Sequence, residues 1–187
     1  MSIPTAVFID TSIFDGQSYN FSSTALSTFV PACQKRKLKL LLPDPTEREI
    51  RRHLNQLSND AAALLDKARR TAPFLLNSKV FAPTVHVHTL SLTAALEWRR
   101  FLTQFDVVRL DYESVAMKVV MNWYDSSVPP FGPGAKRKDF PDALAVAMLE
   151  AYAAQNACYI AVVSSDTDMR KACDRFPSLM YFHSGRT

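Results

Sequence analysis

No stretch of this chain approaches the roughly 20 consecutive apolar residues that a membrane-spanning helix needs, so no membrane span is expected. Its first residues lack the basic start and the small-residue cleavage site of a signal peptide. Cysteine is scarce. Cys33, Cys158 and Cys173 are an odd number without metal-type spacing, which excludes a disulfide framework and a zinc site as first readings. The expectation is a reduced, intracellular, cytoplasmic protein, with Cys158 as a core residue at the head of an apolar run. Internal repeats and low-complexity tracts are missing too. What is present is an ordinary soluble globular composition, 48% apolar and 21% charged over 187 residues, enough for one domain with a proper core.

The net charge is +4 and the pI about 9.0, a mild excess that only hints at an anionic partner. Its distribution says more. Basic residues cluster in Lys35 to Lys39, Arg48 to His53, Lys67 to Arg70 and Lys136-Arg137-Lys138. Any one of these runs equally reads as a solvated face.

Ala6-Val7-Phe8-Ile9 is a short apolar run bounded by polar residues, which predicts a strand buried on both faces. Asp10 and Thr11 follow at once. In an open parallel sheet the crevice beyond the strand carboxyl ends is where ligands bind, so Asp10 would point into a site. Alternatively it only caps a turn. A helix capped by Ser22 or Ser23 runs through Ala32, and Leu38 to Leu42 makes a second strand, ended by Pro43. Asp44 to Leu54 then opens a helix. Either Thr46 and Glu49 form a capping box, or Asp44 caps and Pro45 takes the first helical position. Glu47 or Glu49 falls in the first turn on either reading.

Residues 57–110 are least informative and read as a helical insertion, with helices over 60–74 and 91–105 joined by an extended link over 81–88. His86 and His88 alternate with valines, which predicts a half-exposed strand rather than a metal pair. Tyr112 to Tyr124 reads as a helix. The proline-rich loop from Ser126 to Gly134 delivers Lys136-Arg137-Lys138 to Asp139-Phe140-Pro141-Asp142. Asp139 suits a cap, and Asp142 the first turn of a buried, alanine-rich helix over 143–154, where free N–H groups favour a carboxylate. Tyr159 to Val163 is another buried strand, followed by Ser164-Ser165-Asp166-Thr167-Asp168, a short helix and an edge strand over 180–182. Strands alternating with helices predict an α/β domain with a mostly parallel sheet and right-handed crossovers.

Four places therefore put acid at one edge of the sheet: Asp10, Glu49 or Glu47, Asp142 with Asp139, and Asp166 or Asp168. Carboxylates gathered there repel one another unless a cation neutralises them. Oxygen donors without His or Cys suit the hard ions Mg²⁺ and Mn²⁺, one or two of them. A metal-activated water at a phosphodiester, inside a basic surround that holds a polyanion, is the combination a nuclease needs.

The opening Val7-Phe8-Ile9-Asp10-Thr11-Ser12 resembles the first motif of PIN-domain nucleases. Glu49 resembles their second acidic position, Asp139-Phe140-Pro141-Asp142-Ala143 the third, and Ser164-Ser165-Asp166-Thr167-Asp168 the fourth. Lys136 to Leu144 looks closest to a PIN-like branch found in bacterial proteins of uncertain role. The resemblance implies a three-layer α/β/α sandwich with about five strands over residues 1–187 as a single domain. It also implies metal-dependent cleavage of single-stranded RNA by Asp10, Glu49, Asp142 and Asp166, with Asp168 as a further metal ligand. Thr11, Ser164 and Asp139 would be supporting residues, and Lys136, Arg137, Lys138 and Arg52 would hold RNA. A homodimer or a toxin-like pairing with an antitoxin-like protein is compatible with it. Ser12 departs from the family, where many members have Asn. Glu47 and Glu49 stand about 200° apart in helical phase, and Glu49 is preferred because it precedes Ile50 and His53-Leu54 much as the family's Glu does.

Two other readings compete. One is a degenerate PIN-like module that binds RNA or protein without cutting. The other is a phosphatase with Asp10 as nucleophile, but the haloacid-dehalogenase-like pattern wants a second Asp where Ser12 stands.

Overall fold

A computed structural model of the chain describes residues 3–77, 86–132 and 140–183. Lys136, Arg137, Lys138 and Asp139, and residues 81–85 of the expected link, lie outside the described residues.

The first apolar run forms β1 (Ala6–Ile9), followed directly by a short α1 (Thr11–Gly16) and then α2 (Thr24–Lys35). Ser23, one of the two expected caps, holds the start of α2 by accepting from the Leu26 N–H. Next come β2 (Lys39–Pro43), α3 (Asp44–Thr71), α4 (Val87–Leu102), β3 (Asp106–Leu110), α5 (Met117–Asp125), α6 (Phe140–Asn156), β4 (Ile160–Ser164), α7 (Thr167–Cys173) and β5 (Leu179–His183).

All five strands pair in parallel in the order β3-β2-β1-β4-β5. Along each strand alternate residues serve opposite faces of the sheet. Val7 and Ile9 of β1 join Leu40 and Leu42 in a core with α1 to α4, built on Phe14, Ile50, Trp98 and Phe101. Ala6 and Phe8 join Leu41, Ile160 and Val162 in the core beneath α6 and α7. Helix α5 packs outside α6 through Val120 against Ala143 and Ala147. The result is the expected three-layer α/β/α sandwich. Buried alanines around α6 explain its place against the sheet: small side chains let it approach closely on several sides.

Five expectations change. The stretch 57–110 is not helical to its end, because 106–110 is the strand β3, paired with β2 from Lys39↔Asp106 to Pro43↔Leu110. The helices expected over 44–54 and 60–74 are one 28-residue helix, α3, followed by a 3₁₀ turn at Pro73–Asn77. Neither cap proposed for it forms; Pro43 is the N-cap, and Asp44 and Pro45 are already inside the helix. His86 and His88 do not lie on a strand: His86 precedes α4 and His88 sits in its first turn. Finally, Tyr112–Ser114 is a 3₁₀ turn separate from α5.

Candidate functional site

The strand order reverses direction between β1 and β4, the two strands that share the centre of the sheet. Their carboxyl ends lie side by side, with Ile9 opposite Val163 and the Asp10 N–H donating to the Val163 carbonyl at 3.0 Å. Chain connections lead away from such a switch point on both sides, leaving a crevice where ligands bind in open α/β sheets. Asp10 and Ser164 are the first residues past, or last residues of, the two strands there.

Asp10 is 5% exposed and Ser164 wholly buried. Oδ2 of Asp10 accepts from the Ser12 hydroxyl at 2.5 Å and from the Ser164 hydroxyl at 2.7 Å. In turn the Ser12 oxygen accepts from the Ser165 N–H at 3.1 Å, and the Ser164 oxygen from the Asp166 N–H at 2.9 Å. Asp166 caps α7 by accepting from the Asp168 N–H at 2.8 Å. Tyr181 of β5 completes the network: its hydroxyl lies 3.0 Å from the Ser164 carbonyl and 3.1 Å from that of Asp166. Burial pushes the Asp10 carboxyl above its ordinary value, the Ser12 and Ser164 hydroxyls pull the other way, and the nearby Asp166 charge adds to the rise. Among the described residues no cationic side chain pairs with Asp10.

Helix α3 starts at the same edge, directly from β2, and separates the two glutamates. Glu47 is buried and ion-paired with Arg51 at 2.7 Å and with Arg109 of β3 at 3.2 Å. Its charge is already answered. Glu49 instead turns toward α1, with His53 at 3.8 Å and Arg52 at 3.6 Å. His53 also lies 3.7 Å from Asp15 and stacks on Tyr19, with ring centroids 5.7 Å apart. Burial first, and then Asp15 and Glu49, hold the Tyr19 phenol protonated.

Asp142 is half-buried in the first turn of α6, as expected. The start of α6 and Glu49 line one cavity of about 310 Å³. Thus Asp10, Ser164 and Asp166 are brought together, while Glu49 and Asp142 approach the edge from α3 and α6. Among the described residues no group of three or more His, Cys, Asp or Glu stands close enough to hold an ion. The donor chemistry nonetheless suits a hard divalent cation: oxygen donors only, and a buried carboxylate without a cationic partner among the described residues. Asp168 accepts from Lys171 at 2.9 Å, and Arg52 is exposed. Thr11 acts on Asp10 through its backbone N–H rather than its hydroxyl.

Sequence reasoning missed two members of this network. In the sequence Ser12 reads only as a departure from Asn, yet its hydroxyl donates to Asp10. Tyr181 carried no signal, because its partners are backbone carbonyls of a distant loop. Burial pushes the Cys33 thiol up to about 11, and burial with the charges of Asp174 and Asp10 pushes that of Cys173 up to about 12.

An open parallel sheet with a buried acid at its switch point makes this an α/β protein. A family model described as PIN domain matches residues 7–169, from β1 through the first turn of α7. The chain belongs to the PIN-domain family. No curated protein and no solved structure matches it. The family as a whole points to nuclease or RNA-related function. Among the described residues no helix is long and apolar enough to cross a membrane.

Proposed function

We propose that this chain is a Mg²⁺- or Mn²⁺-dependent endoribonuclease that cuts single-stranded RNA. The observation carrying this reading is the placement of a buried Asp10 beside Asp166 at the β1/β4 switch point, two acids with no cationic partner for Asp10 among the described residues. A bound divalent ion supplies charge neutralisation and Lewis-acid activation of water at the phosphate. Asp10, Glu49, Asp142 and Asp166 are the proposed ligands and catalytic acids. Ser12 and Ser164 hold the Asp10 carboxylate at a fixed angle, and Tyr181 fastens the loop that carries Asp166. Glu49 is favoured over Glu47 because two arginines already neutralise Glu47. Asp168 as a further ligand, Thr11 and Asp139 as supports, and Lys136, Arg137, Lys138 and Arg52 as phosphate contacts belong to the same proposal. So does a single domain over 1–187, with α4 and the long α3 shaping substrate access.

The test compares wild type and Asp142→Asn on a single-stranded RNA with Mg²⁺ or Mn²⁺ and with chelator. Metal-dependent cleavage by the wild type, lost in a folded Asp142→Asn, is expected. Equal cleavage by both would remove Asp142 from the chemistry, and equal cleavage in chelator would remove the metal. A second reading, a PIN-like module that binds without cutting, draws on the lack of a three-carboxylate group among the described residues. Tight Mn²⁺ binding by the wild type, seen calorimetrically, counts against it.

A further inference from the structure

We infer that the cavity between the starts of α3 and α6 is a stacking subsite for one base of a single-stranded RNA, with Tyr112 as its platform. The inference rests on the nuclease reading for its substrate and adds to it the place where a nucleotide next to the cut is held. The cavity, of about 310 Å³, is lined by Pro45, Arg48, Glu49, Arg52, Tyr112 and Phe140 among others. That volume lies at the lower end of the roughly 300–1,000 Å³ typical of small-ligand sites and suits one nucleoside.

Three features select the occupant. Tyr112 is 42% exposed, although an aromatic ring of this size loses free energy in contact with water. The Arg48 guanidinium lies over that ring, 5.9 Å from its centroid, and is held by Asp44 at 2.5 Å. Phe140 is anchored from behind by Tyr124 and Phe131, with centroids 5.1 and 4.9 Å away, so the floor is firm and apolar. An exposed ring, a guanidinium plane and an apolar floor accept the face of an unpaired base. Arg48 and Arg52, paired with Asp44 and Glu49, are both exposed at the cavity and within reach of flanking phosphates. Glu49 opens on the same cavity, which puts the stacked base beside a proposed catalytic acid. Bases in a duplex are already stacked and cannot enter.

The test is fluorescence anisotropy of a labelled single-stranded RNA in chelator, so that binding is read without cleavage. Tyr112→Ala is expected to weaken binding about tenfold, while Tyr112→Phe stays within about twofold. An abasic oligonucleotide of equal length and charge should bind wild type and Tyr112→Ala alike, as should an RNA duplex. Tyr112→Leu, which keeps apolar bulk without a flat ring, should behave like Tyr112→Ala and guards against loss through misfolding. Unchanged affinity in Tyr112→Ala, or an equal loss in Tyr112→Phe, would overturn the subsite. Tyr112-dependent binding by a protein that cuts no RNA would leave the subsite standing and remove the nuclease. Metal-dependent cleavage that ignores Tyr112→Ala, with unchanged binding, would do the reverse.

Discussion

The Ser164 hydroxyl donates to Asp10 Oδ2 at 2.7 Å across 154 residues of chain. It ties together the ends of β1 and β4, so that the buried carboxylate at the switch-point crevice is oriented from both sides. Ser12 donates to the same oxygen from the first turn of α1. Several consequences of this arrangement are open to measurement.

Replacing Asp10 by Asn should stabilise the protein in chelator. Burial raises the folded-state pKa of Asp10, so over the pH range from about 3.9 to that raised value the unfolded chain has lost a proton the native state still holds. Native stability therefore falls as pH rises through that range and stays lower above it. Asp10→Asn has no such term. At pH 7 its melting temperature should exceed wild type by about 2–4 °C per kcal/mol gained, with the difference vanishing near pH 3.5. Adding Mn²⁺ should reverse the order, raising wild type alone, by about 2.7 kcal/mol at a hundredfold excess over Kd. Thermal melts at several pH values, with and without Mn²⁺, decide this; a less stable Asp10→Asn in chelator contradicts it.

Ser164→Ala removes a buried hydroxyl that serves Asp10 as donor and the Asp166 N–H as acceptor. An unsatisfied buried N–H and a freed carboxylate should cost about 1–3 kcal/mol of stability. Mn²⁺ affinity should drop by about 10- to 100-fold, the usual penalty for losing the partner that orients a metal ligand. Urea melts and calorimetric titration read the two effects separately.

The neighbouring glutamates should part company. Glu47→Gln breaks the pairs to Arg51 and Arg109 and should cost about 1 kcal/mol of stability, since both arginines are largely exposed, while leaving RNA cleavage nearly intact. Glu49→Gln should leave stability within about 0.5 kcal/mol and reduce cleavage at least a hundredfold. Exchanged outcomes would assign the site to Glu47.

Tyr181→Phe deletes the hydroxyl that reaches the Ser164 and Asp166 carbonyls. A stability loss of about 1 kcal/mol is expected, with α7 exchanging its amide hydrogens faster than α6. Equal protection of α7 in both proteins would show that the contact is not what holds the loop.

The described structure repays some parts of the sequence reading and corrects others for identifiable reasons. Unmixed apolar runs such as Ala6–Ile9 and Ile160–Val162 read as buried strands, and they are. Strand β3 went unseen because Asp106 and Arg109 break its apolar pattern; as an edge strand it needs to bury only part of itself, and Arg109 is used to answer Glu47. Helix α3 reads as two helices in the sequence because the position buried after Leu54 is the polar Ser58, which interrupts the apolar stripe. The histidines at 86 and 88 alternate with valines, yet local alternation over four residues cannot outweigh the helix that packs Trp98 and Phe101 into the core.

By itself the sequence determined the layered α/β architecture, the family, and the order in which acids meet strand and helix ends, because all of these are written in local runs and short motifs. Which acids face one another was decided only by the tertiary structure. Asp10 and Asp166 meet because β1 and β4 pair at the sheet's reversal, and Glu47 is ion-paired by an arginine sixty-two positions away on β3. A carboxylate's charge becomes reactive or inert according to the partners and water left around it, and those are properties of packed space rather than of chain order.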